Sequence, residues 1–143
     1  MIVDFLGRLH PFLVHFPIAL LLMAALAEFI LFLNPAAGLY TTVRFLVWTG
    51  AAGSILAGAL GWFAAGFRLS DRSEILGLHR WNGTGIAIGT VLLALLVPRP
   101  DDVARRRTAF RVLLVGIAGL LLWQGYLGGE LVMGPDHLGL KGE

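Results

Sequence analysis

Four long apolar blocks constrain the fold of this chain more than any other feature of its sequence. Each is close to the ~20 residues that an α-helix needs to cross a hydrocarbon layer of ~30 Å. The blocks lie at Phe12–Leu33, Val43–Phe67, Ile75–Val97 and Ala109–Leu127. Because they occupy most of the 143 residues, we expect one membrane domain over residues 1–143, without a separate soluble catalytic domain. The predicted fold is all-α, an integral membrane four-helix bundle with helices at about 11–34, 42–67, 73–97 and 102–128.

The composition agrees with a membrane protein and excludes several kinds of site. Hydrophobic residues make up 57% of the chain and charged residues 14%, against about half and about a quarter in a soluble domain. The absence of cysteine excludes disulfides, cysteine-held zinc, attached c-type haem and iron–sulfur clusters. The net charge is only +2, so we expect contacts with membrane lipid and none with nucleic acid. The sequence also has no phosphate loop, nucleophile elbow or HExxH motif, which favours an electron carrier or complex subunit over a stand-alone enzyme.

The positions of the arginines predict the orientation in the membrane. Arg105, Arg106 and Arg107 are consecutive and lie in the loop before the fourth helix. The positive-inside rule places that loop in the cytoplasm. Four helices then put both termini, and the loop between the second and third helices, on the outer side of the membrane.

The four histidines are the candidate ligands, and threading four helices places all of them on one membrane face. His15 lies about 6 Å into the first helix and His79 about 9 Å into the third, at a rise of 1.5 Å per residue. The similar depth makes this pair the first choice as metal ligands. His10 and His15 differ by about 140° around the helix, so they should not bind one ion together.

The surroundings of the histidines favour a flat cofactor. Asn82 and Gly83 follow His79 by three and four residues and share its helix face. Small residues near the ligands leave space for a porphyrin, and Arg8 and Arg80 lie at the same membrane face, where they can pair with propionates. Histidine is a usual axial ligand of haem, and helix bundles hold cofactors between facing helices. We therefore expect a b-type haem that transfers electrons.

Alternatives to a single haem remain open. His10 and His137 either line the rim of the site or serve a second haem. A cofactor-free accessory subunit explains the same histidines as groups bound by water, carbonyls or lipid headgroups. A copper or zinc site without haem is a third interpretation, although without cysteine it needs three or four histidines or carboxylates.

Glu28 is a further candidate, because an acid inside a membrane helix marks a functional site or an ion pair. Arg111 in the fourth helix and Arg44 in the second enter from the same side. We expect an intramembrane ion pair between Glu28 and these arginines, and proton handling is the alternative role.

Several motifs resemble a bacterial family of four-helix membrane proteins, domain of unknown function 2231. The family opens with HPxxVHFPIAL, which is present here from His10 to Leu20, and Glu28 matches an acid that is typical of its first helix. The other matches are Leu78, His79 and Asn82 in the third helix, GGELV at Gly128–Val132, and HLGL at His137–Leu140, where Leu138 replaces the usual glycine. The likeness covers the whole chain.

The resemblance implies a multi-pass protein of the bacterial inner membrane, with periplasmic termini by the charge argument above. Members of the family are sometimes fused to, or found with, cytochrome-type redox domains, which favours a redox role without identifying the ligand. The expected partners are a quinol, a periplasmic cytochrome, further copies of the chain, or other subunits of a respiratory or photosynthetic complex.

Overall fold

The computed structural model describes residues 2–70, 73–99, 102, 104–134 and 137–139, so Leu140 and the C-terminus lie outside it. All regular structure in the described residues is helical. The helices are α1 (Ile2–Leu13), α2 (His15–Leu33), α3 (Tyr40–Ala64), α4 (Glu74–Leu96) and α5 (Ala104–Met133), with a single 3-10 turn at Pro35–Ala37. Because α2 continues α1 after one residue, the chain forms a helical membrane bundle with four long segments, as predicted.

The first segment begins earlier than predicted. The expected start at about residue 11 was wrong, because Pro11 lies inside a helix that begins at Ile2. A hydrogen bond from the N–H of Val14 to the carbonyl of His10, at 3.1 Å, carries the helix toward α2. The break between α1 and α2 arises near Pro17, which has no N–H to donate to the carbonyl four residues before it.

The ends of α3 and α5 also differ from the prediction. The α3 helix ends at Ala64 rather than at residue 67, because Gly66 and Phe67 adopt positive φ angles of 61° and 57°. The α5 helix continues to Met133, five residues beyond the predicted end at Gly128. A glycine pair often ends a helix, but the helix continues through Gly128 and Gly129. Because these residues carry no side chains, the rings of His79 and His137 lie against them. The α4 helix, Glu74–Leu96, lies within one residue of its predicted bounds at each end.

Small residues bring α1 and α2 close to α3 along an antiparallel seam. A Cβ atom on Gly7 would lie 2.8 Å from the Cα of Ala64, and one on Gly50 would lie 2.8 Å from the Cγ of Leu21. Real Cβ atoms do not approach other atoms so closely, so both positions need glycine for this packing. The seam therefore fixes the register of the first segment on α3 from one end of the bundle to the other.

The core lies along the middle of the bundle and is apolar. Leu21, Val47, Leu93 and Phe110 are completely buried there, one from each long segment. Around the bundle, α2 packs on α3, α3 on α4, α4 on α5, and α5 returns to α2. The α1 helix differs, because beyond its neighbour α2 it packs on α3, and no described Cα atom of α1 lies within 8 Å of one in α4 or α5.

The outer faces of the helices are apolar as well. Large hydrophobic side chains such as Phe12, Val112, Leu122 and Val132 are more than half exposed. Within the described residues, three helices are long and apolar enough to cross a membrane: Gly7–Leu33, Tyr40–Ala64 and Ala104–Met133. The first half of α4 is too polar to meet the same criterion, since it carries histidine, arginine and asparagine. Apolar side chains on these outer faces are suited to contact with membrane lipid.

Candidate cofactor site

The structure brings His10 and His79 together near one end of the bundle. His10 lies on α1 and His79 lies on α4, and their ring centroids are 6.3 Å apart with the ring planes at 89°. Both side chains are partly buried. The two imidazoles belong to helices that have no described Cα atoms within 8 Å of each other, so α1 and α4 meet here through side chains.

The ring of His10 is held in one orientation by α3. Its Nδ1 lies 2.9 Å from the carbonyl oxygen of Ala57, and a carbonyl only accepts hydrogen bonds, so Nδ1 carries the proton. In the neutral ring Nε2 then has a free lone pair. A Cβ atom on Gly61 would lie 3.0 Å from Cε1 of this ring, so glycine at this position provides the space in which the imidazole lies.

A chain of amide hydrogen bonds fixes the ring of His79. The side-chain N–H of Asn82 donates to the carbonyl of Leu120 at 3.2 Å and to Oε1 of Gln124 at 2.8 Å. The Gln124 amide nitrogen then donates to the backbone carbonyl of His79 at 3.0 Å and faces its Nε2 at 3.2 Å. Because the two backbone carbonyls both require donors, the amide orientations are determined, and Nε2 of His79 must be the acceptor.

This network leaves one polar atom of His79 without a partner. With Nε2 as acceptor, the neutral ring carries its proton on Nδ1, and that nitrogen is buried without a hydrogen bond in the described residues. A buried unsatisfied nitrogen costs about 1–3 kcal/mol. The adjacent α5 position is Gly128, where a Cβ atom would lie 3.5 Å from Cε1 of the ring.

His15 lies on a different face of the first segment. It is exposed, and its Nδ1 lies 2.8 Å from the carbonyl oxygen of Pro11, one turn earlier in the chain. No ring contact or hydrogen bond joins His15 to His79 in the part of the chain described here. The offset of about 140° between His10 and His15 explains the difference, since it directs only His10 toward α3 and α4.

The remaining residues that the sequence placed near the cofactor have separate positions. Arg8 is exposed. Arg80 is buried, donates to the backbone carbonyls of Arg68 and, at 2.8 Å, Leu69, and lies 5.0 Å from the centre of the Trp62 ring. Its guanidinium therefore joins the end of α3 to α4. Gly83 faces the Gln124 amide, where a Cβ atom would lie 3.0 Å from the nitrogen.

A second polar group lies beside the histidine pair, at the end of α5. Nδ1 of His137 is 3.3 Å from Oε1 of Glu130, and both side chains are almost completely buried, at 7% and 2% exposure. The ring also stacks on Tyr126 with centroids 5.5 Å apart. It lies directly on Gly129, where any Cβ atom would overlap it. The sequence interpretation missed Glu130, although its position inside an apolar helix was a usable signal.

At the opposite end, Glu28 is paired with Arg111. The guanidinium Nε donates to Oε1 of Glu28 at 2.8 Å, and the Glu28 side chain is only 7% exposed. Arg111 also lies 5.1 Å from the centre of the Phe32 ring. Arg44 lines a small cavity that Glu28 and Tyr40 also line, and it makes no ion pair with the acid in the described residues.

The candidate ligands form pairs rather than a larger cluster. No group of three or more histidine, aspartate or glutamate side chains is arranged to hold a metal ion within the ranges that the structure describes. His10 and His79 are thus a pair of imidazoles on two different helices, without a third histidine or carboxylate arranged with them among the described residues.

Comparison with known proteins identifies the family. The sequence matches predicted membrane proteins of the DUF2231 family over residues 8–137. The chain belongs to this family. No curated protein and no solved structure matches it.

The motifs of this DUF2231 protein converge near the histidine pair. The opening motif lies across the α1–α2 junction and supplies His10 to the inside of the bundle and His15 to its outer face. The GGELV segment lies inside α5 and supplies Gly128 beside His79 and Gly129 beneath His137. The family match thus covers the elements that form this end of the bundle.

Proposed function

We propose that this protein is a membrane electron carrier that binds a b-type haem between His10 and His79. The observation that carries the proposal is the spacing of the two imidazoles, whose centroids are 6.3 Å apart. Nitrogens that bind one metal ion from opposite sides, at about 2.0–2.1 Å each, leave their ring centroids about 6 Å apart. The observed spacing would allow both rings to bind one iron, and it is also within the range of about 4.5–7 Å for two rings in direct contact.

The hydrogen bond of the His10 ring supports a ligand role. Metal-binding histidines usually donate their other ring N–H to a carbonyl or carboxylate, which fixes the ring and raises its basicity. His10 has this arrangement, with Nδ1 bonded to Ala57 and Nε2 free. His79 differs, because its Nδ1 carries the proton, so this nitrogen would bind a metal only if the proton moved to Nε2 and the Gln124 amide turned its oxygen toward Nε2.

The lack of close backbone packing between α1 and the helices opposite it supports the choice of a flat group. No described Cα atom of α1 lies within 8 Å of α4 or α5, although α1 packs closely on α3. Gly61 and Gly128 lie beside the two imidazoles and add no side chains. A single metal ion would need further ligands that the described residues do not bring together, whereas a macrocycle would supply them itself.

The residues around the pair have distinct tasks in this proposal. A bound haem would supply one-electron chemistry, with iron alternating between its ferric and ferrous states. His10 and His79 would both hold the haem, and an iron held by two histidines would favour electron transfer over oxygen activation. Gln124 orients the His79 ring, and Arg8, exposed near the start of the first segment, is available to pair with a propionate.

We place the protein in the bacterial inner membrane with the histidine end toward the periplasm. The three consecutive arginines, Arg105–Arg107, begin α5 at the opposite end, and the positive-inside rule assigns that end to the cytoplasm. Electron partners would then be a quinol in the membrane, a periplasmic cytochrome, or neighbouring subunits of a respiratory or photosynthetic complex.

The test is an absorption spectrum of the detergent-purified protein, oxidised and then reduced with dithionite, together with haem and metal quantification. We expect a Soret band with sharp reduced α and β bands and one haem per chain. Replacing His10→Ala or His79→Ala should remove the low-spin spectrum. His15→Ala is the matched control, because this exposed histidine lies on the opposite face and should leave the spectrum unchanged.

Other outcomes would replace the proposal. A protein that stays colourless when expressed with ample haem, and that contains no metal, would be a cofactor-free accessory subunit. Bound copper or zinc without a Soret band would indicate a non-haem site. Loss of the haem spectrum in His15→Ala but not in His10→Ala would assign the axial ligand to the other histidine of the opening motif.

A further inference from the structure

A small cavity lies at the arginine-rich end of the bundle, opposite the histidine pair, where α2, α3 and α5 meet the residues that follow α4. Its volume is about 10 Å³, which is room for about one water molecule. Glu28 is buried together with the apolar side chains of its floor, whereas the rim of the cavity reaches the surface. The rim is formed by Tyr40, Arg44 and Arg107.

The rim carries hydrogen-bond donors that the protein does not use. A guanidinium group has five N–H donors and no acceptor. Arg107 donates from Nη1 to the hydroxyl oxygen of Tyr40 at 3.3 Å and lies 5.0 Å from the centre of the Tyr40 ring. The hydrogen of that hydroxyl, and all the donors of Arg44, have no acceptor among the residues that the structure describes. The rim is therefore suited to a ligand that is rich in oxygen acceptors.

The positive charge of the rim distinguishes it from the arginines nearby. Arg111 donates to Glu28 at 2.8 Å, and Arg106 lies 3.3 Å from an aspartate one turn earlier in the chain. Arg44 and Arg107 have no acidic partner in the described part of the chain. Because Arg111 balances the charge of Glu28, the described residues leave two positive charges at the rim.

The position of the rim suits a lipid head group. Arg44 lies in the second turn of α3 and Arg107 in the first turn of α5, so both are near the end of the bundle. Exposed phenylalanines flank them, since Phe45 follows Arg44 and Phe32 lies beside Arg111. A bound lipid therefore meets cations at the level of the head groups and apolar side chains on the membrane side, and a soluble anion would use only the cations.

We propose that this rim binds the phosphate of an anionic phospholipid, with the acyl chains against the exposed apolar side chains beside it. A phosphodiester carries one negative charge and oxygen acceptors, which match the unused donors of Arg44, Arg107 and the Tyr40 hydroxyl. Basic pockets between membrane helices are a known kind of site for such head groups. Because the cavity holds only about one water molecule, the phosphate lies at its mouth, between the two guanidinium groups.

The test is native mass spectrometry of the detergent-purified full chain, titrated with lipid. The probes are phosphatidylglycerol and phosphatidylcholine with identical acyl chains, which share the phosphate and the tails but differ in net charge. The choline group adds a cation that the arginines of the rim repel. We therefore expect one phosphatidylglycerol to bind to each chain more tightly than phosphatidylcholine does.

Two substitutions test the location of the site. Arg44→Gln and Arg107→Gln should each weaken the binding of phosphatidylglycerol about tenfold, which is the loss expected for one hydrogen bond between charged groups. Arg44 is exposed, so its replacement should leave folding intact, and circular dichroism checks that the helices are retained. Arg105→Gln is the matched control, because it removes the same charge from the same end but does not line the cavity.

Three results would overturn this inference. Equal affinities for the two lipids would mean that the rim does not recognise an anionic head group. An equal loss of affinity in Arg105→Gln and Arg44→Gln would mean general attraction to a basic surface. Displacement of phosphatidylglycerol by inorganic phosphate, but not by sodium chloride at the same ionic strength, would make soluble phosphate the occupant. None of these results involves the haem spectrum, so this inference and the proposed function stand or fall separately.

Discussion

Breaking the ion pair between Glu28 and Arg111 should reveal an asymmetry between its two partners. The Glu28 side chain is 7% exposed and the Arg111 side chain is 27% exposed, and a 2.8 Å hydrogen bond joins them. The acid therefore has no route to water, whereas the long arginine side chain can turn toward the arginine-rich end of the bundle. The loss in the free energy of unfolding should therefore depend on which of the two partners is removed.

The expected magnitudes follow from burial. Arg111→Met leaves the buried Glu28 carboxylate without its partner and should lower the free energy of unfolding by about 3–5 kcal/mol. Glu28→Gln keeps the shape of the acid and frees a partly exposed cation, so the loss should be about 1.5–3 kcal/mol, that of a hydrogen bond to a charged group. The double variant removes both charges and should be more stable than Arg111→Met alone.

The assay is a double-mutant cycle measured by unfolding in sodium dodecyl sulfate, with far-ultraviolet circular dichroism as the signal. Arg105→Met is the control, because this exposed arginine has no side-chain partner among the described residues. It should change the free energy of unfolding by less than about 0.5 kcal/mol. Equal losses in the two single variants, or losses that simply add in the double variant, would refute the reasoning from burial.

Three further changes probe the packing of this protein. Gly129→Val should displace the His137 ring from α5 and expose the C-terminal segment to limited proteolysis, while the purified protein keeps its helices. Unchanged proteolysis would contradict the close contact between Gly129 and the ring. Arg80→Met removes hydrogen bonds to two carbonyls and a contact with Trp62, so the free energy of unfolding should fall by about 2–3 kcal/mol. Gly85→Leu should leave stability unchanged in detergent, because a Cβ atom there meets nothing within 4 Å; loss of co-purifying subunits in this variant alone would show that the position belongs to an interface.

Hydropathy was sufficient to predict the helical segments and the class of the protein. Runs of about 20 apolar residues have few alternatives in a chain this short. The ends of the helices were harder to predict, because proline and glycine have two roles. Pro11 suits the first turn of a helix but lies inside one here, and Gly128 suits a helix end but provides space for a histidine ring. Only the tertiary contacts distinguish these roles.

The choice between His10 and His15 also depends on tertiary contacts, although the sequence contained one signal that separates them. Depth alone does not separate His10 from His15, because both lie near the same end of the first segment. Glu28, however, follows His10 by eighteen residues, which is about five full turns at 3.6 residues per turn. An acid in a membrane helix faces the protein interior, so His10 should face it too, and His15 should not. In the structure Glu28 pairs with Arg111 on α5, and His10 contacts Ala57 on α3 and His79 on α4. Both side chains therefore face other helices of the bundle.

The break near Pro17 has a consequence for how the imidazole spacing is set. Because α2 does not continue into α1 through an unbroken ladder of hydrogen bonds, the direction of α1 is governed by its close approach to α3 at Gly7 and Gly61. The distance between His10 and His79 is therefore an adjustable property of the α1–α3 contact. Substitutions at Ala64, which touch neither ring, would tilt α1 and change the distance between the His10 and His79 rings while both histidines stay in the sequence.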